Sequence, residues 1–286
     1  MTIVTETVET HPGLQFSTDI AGDPGADFVL LLHGFPESRH IWRETVPLLS
    51  GAGYRAAAPD QRGYSAGARP DPADLSNYTY DRLVRDALDL ADACGAVGRR
   101  FHLVGHDWGA QIAWSVASRH PERLASLTIL SRPHPMAFRA AMADPDGDQA
   151  YRSRHHKAFL QPTTADLMMA DGALRFRRML AAQNVPNAAI DAHLSVIDGR
   201  DALEATLAWY RANDILLEMG SIATPTLYIW GDADATVGPK AALATKQFVT
   251  GPFHMEVIPG AGHFMMDEAA GRISELVLAH IAANPT

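Results

Sequence analysis

Four short apolar runs set the rhythm of the first half of the chain: "FVLLLHG" (28–34), "YRAAAP" (54–59), "FHLVGH" (101–106) and "LASLTILS" (124–131). Each is continuous or nearly so and ends in turn residues, the pattern of central strands in a parallel sheet covered on both faces. Between them the period lengthens. "TYDRLVRDALDLADACGA" (79–96) places Leu83, Ala87, Leu90 and Ala91 on one stripe and closes near Gly95, which predicts an amphipathic helix. Strands and helices in alternation predict an α/β architecture with a mostly parallel, doubly wound sheet. After Pro135 the pattern changes. From 136 to 218 the chain offers only helical stretches rich in Ala, Arg and Met, broken by "DPDGD" (144–148) and "DGR" (198–200). Strand character returns at "PTLYIWGDAD" (225–234) and "HMEVIPGAGH" (254–263). The expected organisation is one core built from residues 1–135 and 219–286, with 136–218 inserted between two strands of the same sheet.

Composition narrows the class. At 286 residues with 47% hydrophobic content the chain can bury a large core, and a net charge of −9 argues against nucleic acid or an anionic membrane as partner. The single cysteine, Cys94, excludes an intrachain disulfide and a cysteine-based zinc site. "MTIVTETVET" lacks the basic and apolar regions of a secretory signal, and no apolar run is long enough for a membrane span, so a cytoplasmic protein is expected. "DPDGD" has Pro at its second position and no Glu at the twelfth, so it reads as a solvated loop and not a calcium site. No metal or cofactor is expected, and oligomeric state is silent.

The chemistry concentrates where strands end. Gly105-His106-Asp107-Trp108-Gly109 has the spacing of a nucleophile elbow, with Asp in place of Ser. A sharp strand-to-helix turn needs small neighbours, and the helix that follows offers unpaired N–H groups and a positive dipole end beside the carboxylate. His33-Gly34-Phe35-Pro36 ends another strand, where a cis bond before Pro36 is possible and the Phe35 and Trp108 amides can form an oxyanion hole. Asp232 and Asp234 follow the next-to-last strand, and His263 follows the last. The order Asp107, Asp234, His263 is that of nucleophile, acid and base.

On these motifs the sequence resembles α/β-hydrolase-fold enzymes that use an Asp nucleophile, above all the epoxide hydrolases, with the haloalkane and haloacetate dehalogenases as the alternative. The resemblance spans nearly the whole chain: "HGFPESRHIW" (33–42), "PDQRGYSAG" (59–67), "GHDWGA" (105–110), "RPHPMAF" (132–138), "AWYRA" (208–212), "GDAD" (231–234) and "GAGH" (260–263). It implies that 136–218 form a helical cap, that Asp234 is the triad acid while Asp232 supports its loop, and that His33, Pro36, Trp108 and His156 contact the substrate. It also implies that Tyr210 protonates the opening epoxide and that His155, by its spacing to Pro162, stands where a second Tyr is usual.

Departures from the dehalogenases point the same way. Haloacetate enzymes place Arg after the nucleophile, where this chain has Trp108 and then Gln111 or Ile112, so no cation is evident for an acidic substrate. Haloalkane enzymes do carry a halide-donating Trp after the nucleophile, as at Trp108, but usually pair it with an Asn or a second Trp, and the Asn position corresponds to Phe35 here. The expectation is hydrolysis of a small-molecule epoxide by water. A non-catalytic ligand-binding member of the fold is disfavoured, because pure binding needs no water-activating base.

Overall fold

The four apolar runs become neighbouring strands. The computed structural model describes residues 2–11 and 13–286. Its strands are β1 (Val4–His11), β2 (Leu14–Ala21), β3 (Phe28–Leu32), β4 (Arg55–Pro59), β5 (Phe101–His106), β6 (Leu124–Leu130), β7 (Thr226–Gly231) and β8 (Phe253–Ile258). They form one sheet in the order β1-β2-β4-β3-β5-β6-β7-β8. From β4 onward in that order every pairing is parallel, while β2 runs antiparallel to both β1 and β4.

Both faces of the sheet are covered, which is why its central strands read as unbroken apolar runs. Along β3, Phe28, Leu30 and Leu32 enter one core while Val29 and Leu31 enter the other, the two-residue alternation of a pleated strand. The helices α1 (Thr45–Gly51), α2 (Tyr80–Ala91) and α3 (Trp108–Arg119) follow in the chain. Leu83 and Val84 of α2 join Ile112 and Trp114 of α3 on the first face. On the second face Val46 and Leu49 of α1 pack with Ile273, Val277 and Ile281.

Two strands precede the runs named above. β1 reads VTETVETH and is largely exposed at the edge of the sheet, so six of its eight positions are polar and no apolar run marks it.

Between β6 and β7 lie six helices: α4 (Pro135–Ala143), α5 (Gln149–Arg152), α6 (His155–Phe159), α7 (Thr164–Ala181), α8 (Asn187–Val196) and α9 (Arg200–Ala212). They are tied to the sheet's loops by polar contacts. Trp209 Nε1 donates to the carbonyl of Arg62 at 3.0 Å, and Asn213 both accepts from the Tyr80 amide and donates to the Tyr78 carbonyl. His193 Nδ1 lies 2.9 Å from Ser38 Oγ. The chain ends through α10 (Pro239–Ala244), α11 (Met265–Glu268) and α12 (Ala270–Ala282). No helix among the described residues is long and apolar enough to cross a membrane.

Candidate active site

Ligands in open parallel sheets bind beyond the carboxyl ends of the strands. Phe35 follows β3, Asp107 follows β5, Ser131 follows β6, Asp234 follows β7 and His263 follows β8. All five gather at that edge.

Asp107 sits on the turn that the glycines permit. Its backbone has φ 48° and ψ −112°, a region that L residues rarely occupy. A Cβ at Gly105 would stand 2.4 Å from the Gly109 carbonyl oxygen, and one at Gly109 would stand 2.2 Å from that of Leu32. Neither position has room for a side chain. Asp107 Oδ1 accepts the Phe35 amide at 3.1 Å, and Trp108 opens α3 beside it. The Phe35–Pro36 peptide is cis.

His263 Nε2 lies 3.7 Å from Asp107 Oδ2, and its Nδ1 lies 3.2 Å from Asp234 Oδ2. Ser131 Oγ and Thr236 Oγ1 stand 2.9 and 2.8 Å from the same Nδ1. Asp234 is buried and fully engaged: Ser131 Oγ donates to Oδ2, while the amides of Thr236 and Val237 donate to Oδ1. Asp232, in contrast, accepts the Gly260 amide at 2.6 Å and so braces the loop that leads to His263.

Charges set the protonation states. Burial alone would raise the Asp107 carboxyl, but His263, His106 and Arg132 hold it below its ordinary value. The Asp234 carboxyl is lowered much further, against its burial, by His263 and its hydrogen bonds. Burial opposes a charge on His263, yet Asp234 and Asp107 lift its pKa above the usual 6.5. Beneath them His106 Nδ1 lies 2.6 Å from Glu37 Oε2, and Nε2 lies 2.9 Å from the His263 carbonyl. With an acceptor on each nitrogen, His106 is lifted to about 9 despite complete burial.

A cavity of about 400 Å³ opens over Asp107 and His263, walled by Phe35, Pro36, His155, His156, Phe159 and Tyr210 among others. Tyr210, from α9, is buried with its ring 5.3 Å from that of Phe35 and 5.0 Å from that of Trp108. Burial, reinforced by Asp107, pushes its phenol well above the ordinary 10, so it stays protonated. Trp108 borders a smaller recess with Asp107, Gln111, Arg132 and His156.

Two expectations need correction. His33 does not border the cavity. It is buried below it, where its Nε2 accepts the Gln61 amide at 3.2 Å and its Nδ1 donates to the Gly34 carbonyl at 2.9 Å. With both nitrogens used inside the protein, His33 holds loops and touches no substrate space. A cation does border the cavity, too: Arg132, the residue after Ser131, which lies 25 positions along the chain from Asp107 and so escapes any motif around it.

His155 reaches the cavity, but in the wrong tautomer for a donor. Its Nδ1 lies 3.1 Å from the Arg152 carbonyl, which can only accept, and burial lowers its pKa to about 4. The neutral ring therefore offers Nε2 as an acceptor. His156 also borders the cavity, its ring 5.4 Å from that of Tyr210, and its buried Nδ1 has no hydrogen-bond partner among the described residues.

Ser131, Thr236, Glu37 and His106 surround the site, and the sequence assigns none of them a role, although His106 lies inside the elbow motif and Glu37 within HGFPESRHIW. Thr236 alone left a trace of its role, two residues beyond an Asp at a strand end, where a side chain–backbone turn is common.

Residues 27–270 match the α/β-hydrolase fold family. Epoxide hydrolase A of Mycobacterium tuberculosis is 31% identical, covering 96% of each chain. Epoxide hydrolase 3 of Xenopus tropicalis is 30% identical over 93% of this chain and 74% of its own length. The crystal structure of epoxide hydrolase A from Mycobacterium thermoresistibile superposes with a TM-score of 0.83 at 27% identity, covering 99% of both chains. The chain is thus a member of the α/β-hydrolase family, in the branch that holds the epoxide hydrolases.

Proposed function

We propose that this protein is an epoxide hydrolase that opens its substrate to a vicinal diol through an ester on Asp107, with residues 136–218 serving as the cap. One relationship carries the mechanism: an ionised carboxylate on a strained turn faces, at 3.7 Å, an imidazole held from behind by Asp234. A carboxylate needs no base to attack an sp³ carbon, because it is already anionic.

Asp107 attacks one ring carbon and that carbon's bond to oxygen breaks. The departing alkoxide stays attached to the substrate and takes the Tyr210 proton. His156 is the second candidate donor, since His155 has its N–H turned away to Arg152. His263 then removes a proton from water as the oxygen adds to the Asp107 carbonyl carbon. The Phe35 and Trp108 amides meet the tetrahedral oxyanion. Collapse returns Asp107 as a carboxylate and frees the diol, and the proton gained at His263 restores Tyr210. Every step uses side chains and backbone amides of this chain and water.

A single turnover in heavy-oxygen water tests the ester. The label should appear in the Asp107 carboxylate and be absent from the first-turnover diol. Label in that first diol would mean that water opens the ring directly.

A further inference from the structure

A buried guanidinium usually faces a carboxylate, because an uncompensated charge is costly away from water. Arg132 does not. It is 8% exposed, and among the described residues no carboxylate forms an ion pair with it. Its Nε donates to Gln111 Oε1 at 3.2 Å, its Nη2 donates to the Ile215 carbonyl at 3.4 Å, and its Cζ lies 3.9 Å from the centre of the Phe138 ring. All three partners are neutral. Guanidinium carries five N–H donors, so most of its fork is left for something else.

Arg132 borders the same cavity as Asp107. The rest of the wall leans the same way. Arg152 and Arg154 also border it, the former paired with Asp148 and the latter, among the described residues, engaged with the ring and carbonyl of Tyr151. Among the described residues that border the cavity, Asp107 is the only carboxylate. A chain of net charge −9 has thus gathered cations around this one space.

We propose that the cavity takes an epoxide that carries a carboxylate, bound by the free N–H groups of Arg132 while the ring lies at Asp107. This rests on the epoxide-hydrolase reading and narrows its substrate class. Asp107 repels a second anion, so such a substrate needs the guanidinium to offset that repulsion and to fix which ring carbon meets the nucleophile. The competing role, in which Arg132 serves only to keep Asp107 ionised, would affect charged and neutral epoxides alike.

A matched pair of probes separates the two: 3-phenyloxirane-2-carboxylate and its neutral methylamide, with wild type, Arg132→Gln and Arg132→Lys. The wild type should favour the acid in kcat/KM. The acid-to-amide ratio should fall by about a hundredfold in Arg132→Gln, the scale of losing a charged hydrogen bond, and recover in part in Arg132→Lys. Phenylacetate, which has no epoxide, should bind the wild type in a calorimetric titration and not Arg132→Gln, with thermal unfolding showing that both variants are folded. An unchanged ratio, or a wild type that prefers the amide, overturns the proposal. Turnover of styrene oxide without phenylacetate binding sinks the anion subsite alone. Phenylacetate binding that depends on Arg132, with no epoxide hydrolysed, sinks the epoxide reading and keeps the subsite.

Discussion

The Ser131 hydroxyl donates to Asp234 Oδ2 across 2.6 Å and so shares that oxygen with His263, whose Nδ1 lies 3.2 Å away. With Thr236 Oγ1 also near, three oxygens stand within hydrogen-bond reach of the imidazole Nδ1. Such a cage fixes the tautomer that leaves Nε2 free to take a proton from water. Ser131 has φ 64°, a conformation glycine adopts without strain, so Ser131→Gly removes the hydroxyl and spares the turn. Ser131→Gly and Thr236→Val should each slow hydrolysis of the Asp107 ester by roughly three- to thirtyfold, a fraction of the effect of the base itself. Stopped-flow measurement should find ester formation little changed. A loss confined to ester formation would contradict this placement.

His263→Gln should still form the ester and then stall. Mass spectrometry of the intact protein should show an adduct equal to the substrate mass. In the wild type the base must be neutral to accept a proton, and its pKa lies above 6.5. The rate of ester hydrolysis should therefore climb with pH as the imidazolium loses its proton and level off. Its midpoint should lie below that of the free enzyme, because the ester removes the Asp107 charge that helps to hold the proton. A flat profile, or a fall, would mean that His263 acts in another protonation state.

Tyr210→Phe keeps the ring contacts with Phe35, Trp108 and Phe159 and removes only the hydroxyl. Ester formation from epoxides should slow by roughly ten- to a thousandfold, the range for losing one acid or oxyanion donor. Hydrolysis of a preformed ester should change far less. The opposite division between the two steps would remove Tyr210 from ring opening.

The His106–Glu37 pair makes stability depend on pH. The folded His106 has a pKa of about 9, above the ordinary 6.5. Its contribution is complete below 6.5 and is lost as pH rises through 9. The unfolding temperature should thus drop between pH 7 and 9.5, and Glu37→Gln should lose most of that drop while starting lower at pH 7. A wild-type curve flat over this interval would show that His106 is neutral in the fold.

Gly109→Ala puts a methyl group 2.2 Å from the Leu32 carbonyl oxygen, a contact no rotamer can relieve. A loss of several kcal/mol or failure to fold is expected, as for severe overpacking. Gly51→Ala, where nothing lies within 4 Å, is the control and should leave thermal unfolding near wild type.

What neighbouring residues dictate was readable from the chain alone. Burial on both faces forces unbroken apolar strands, so β3 to β6 were legible as four runs. Close approach of α3 to the sheet forces glycine at 105 and 109, so the spacing marked Asp107. β1 was not legible, because an exposed edge strand asks nothing apolar of its sequence, and β2, though largely buried, mixes Gln, Ser, Thr and Asp into its eight residues. Nor was the cage around His263. Ser131 and Asp234 are 103 residues apart, and their meeting depends on β6 and β7 pairing in register. His33 and Arg132 show the same limit from both sides. Each follows a strand and opens a motif quoted above, yet His33 turns inward to Gln61 while Arg132 borders the cavity with no ion pair to a carboxylate among the described residues. Backbone sterics act over a few residues and leave their mark in residue type. The direction a side chain takes, and the charge it meets, are set by whichever distant segments pack against it, and only the folded chain contains that information.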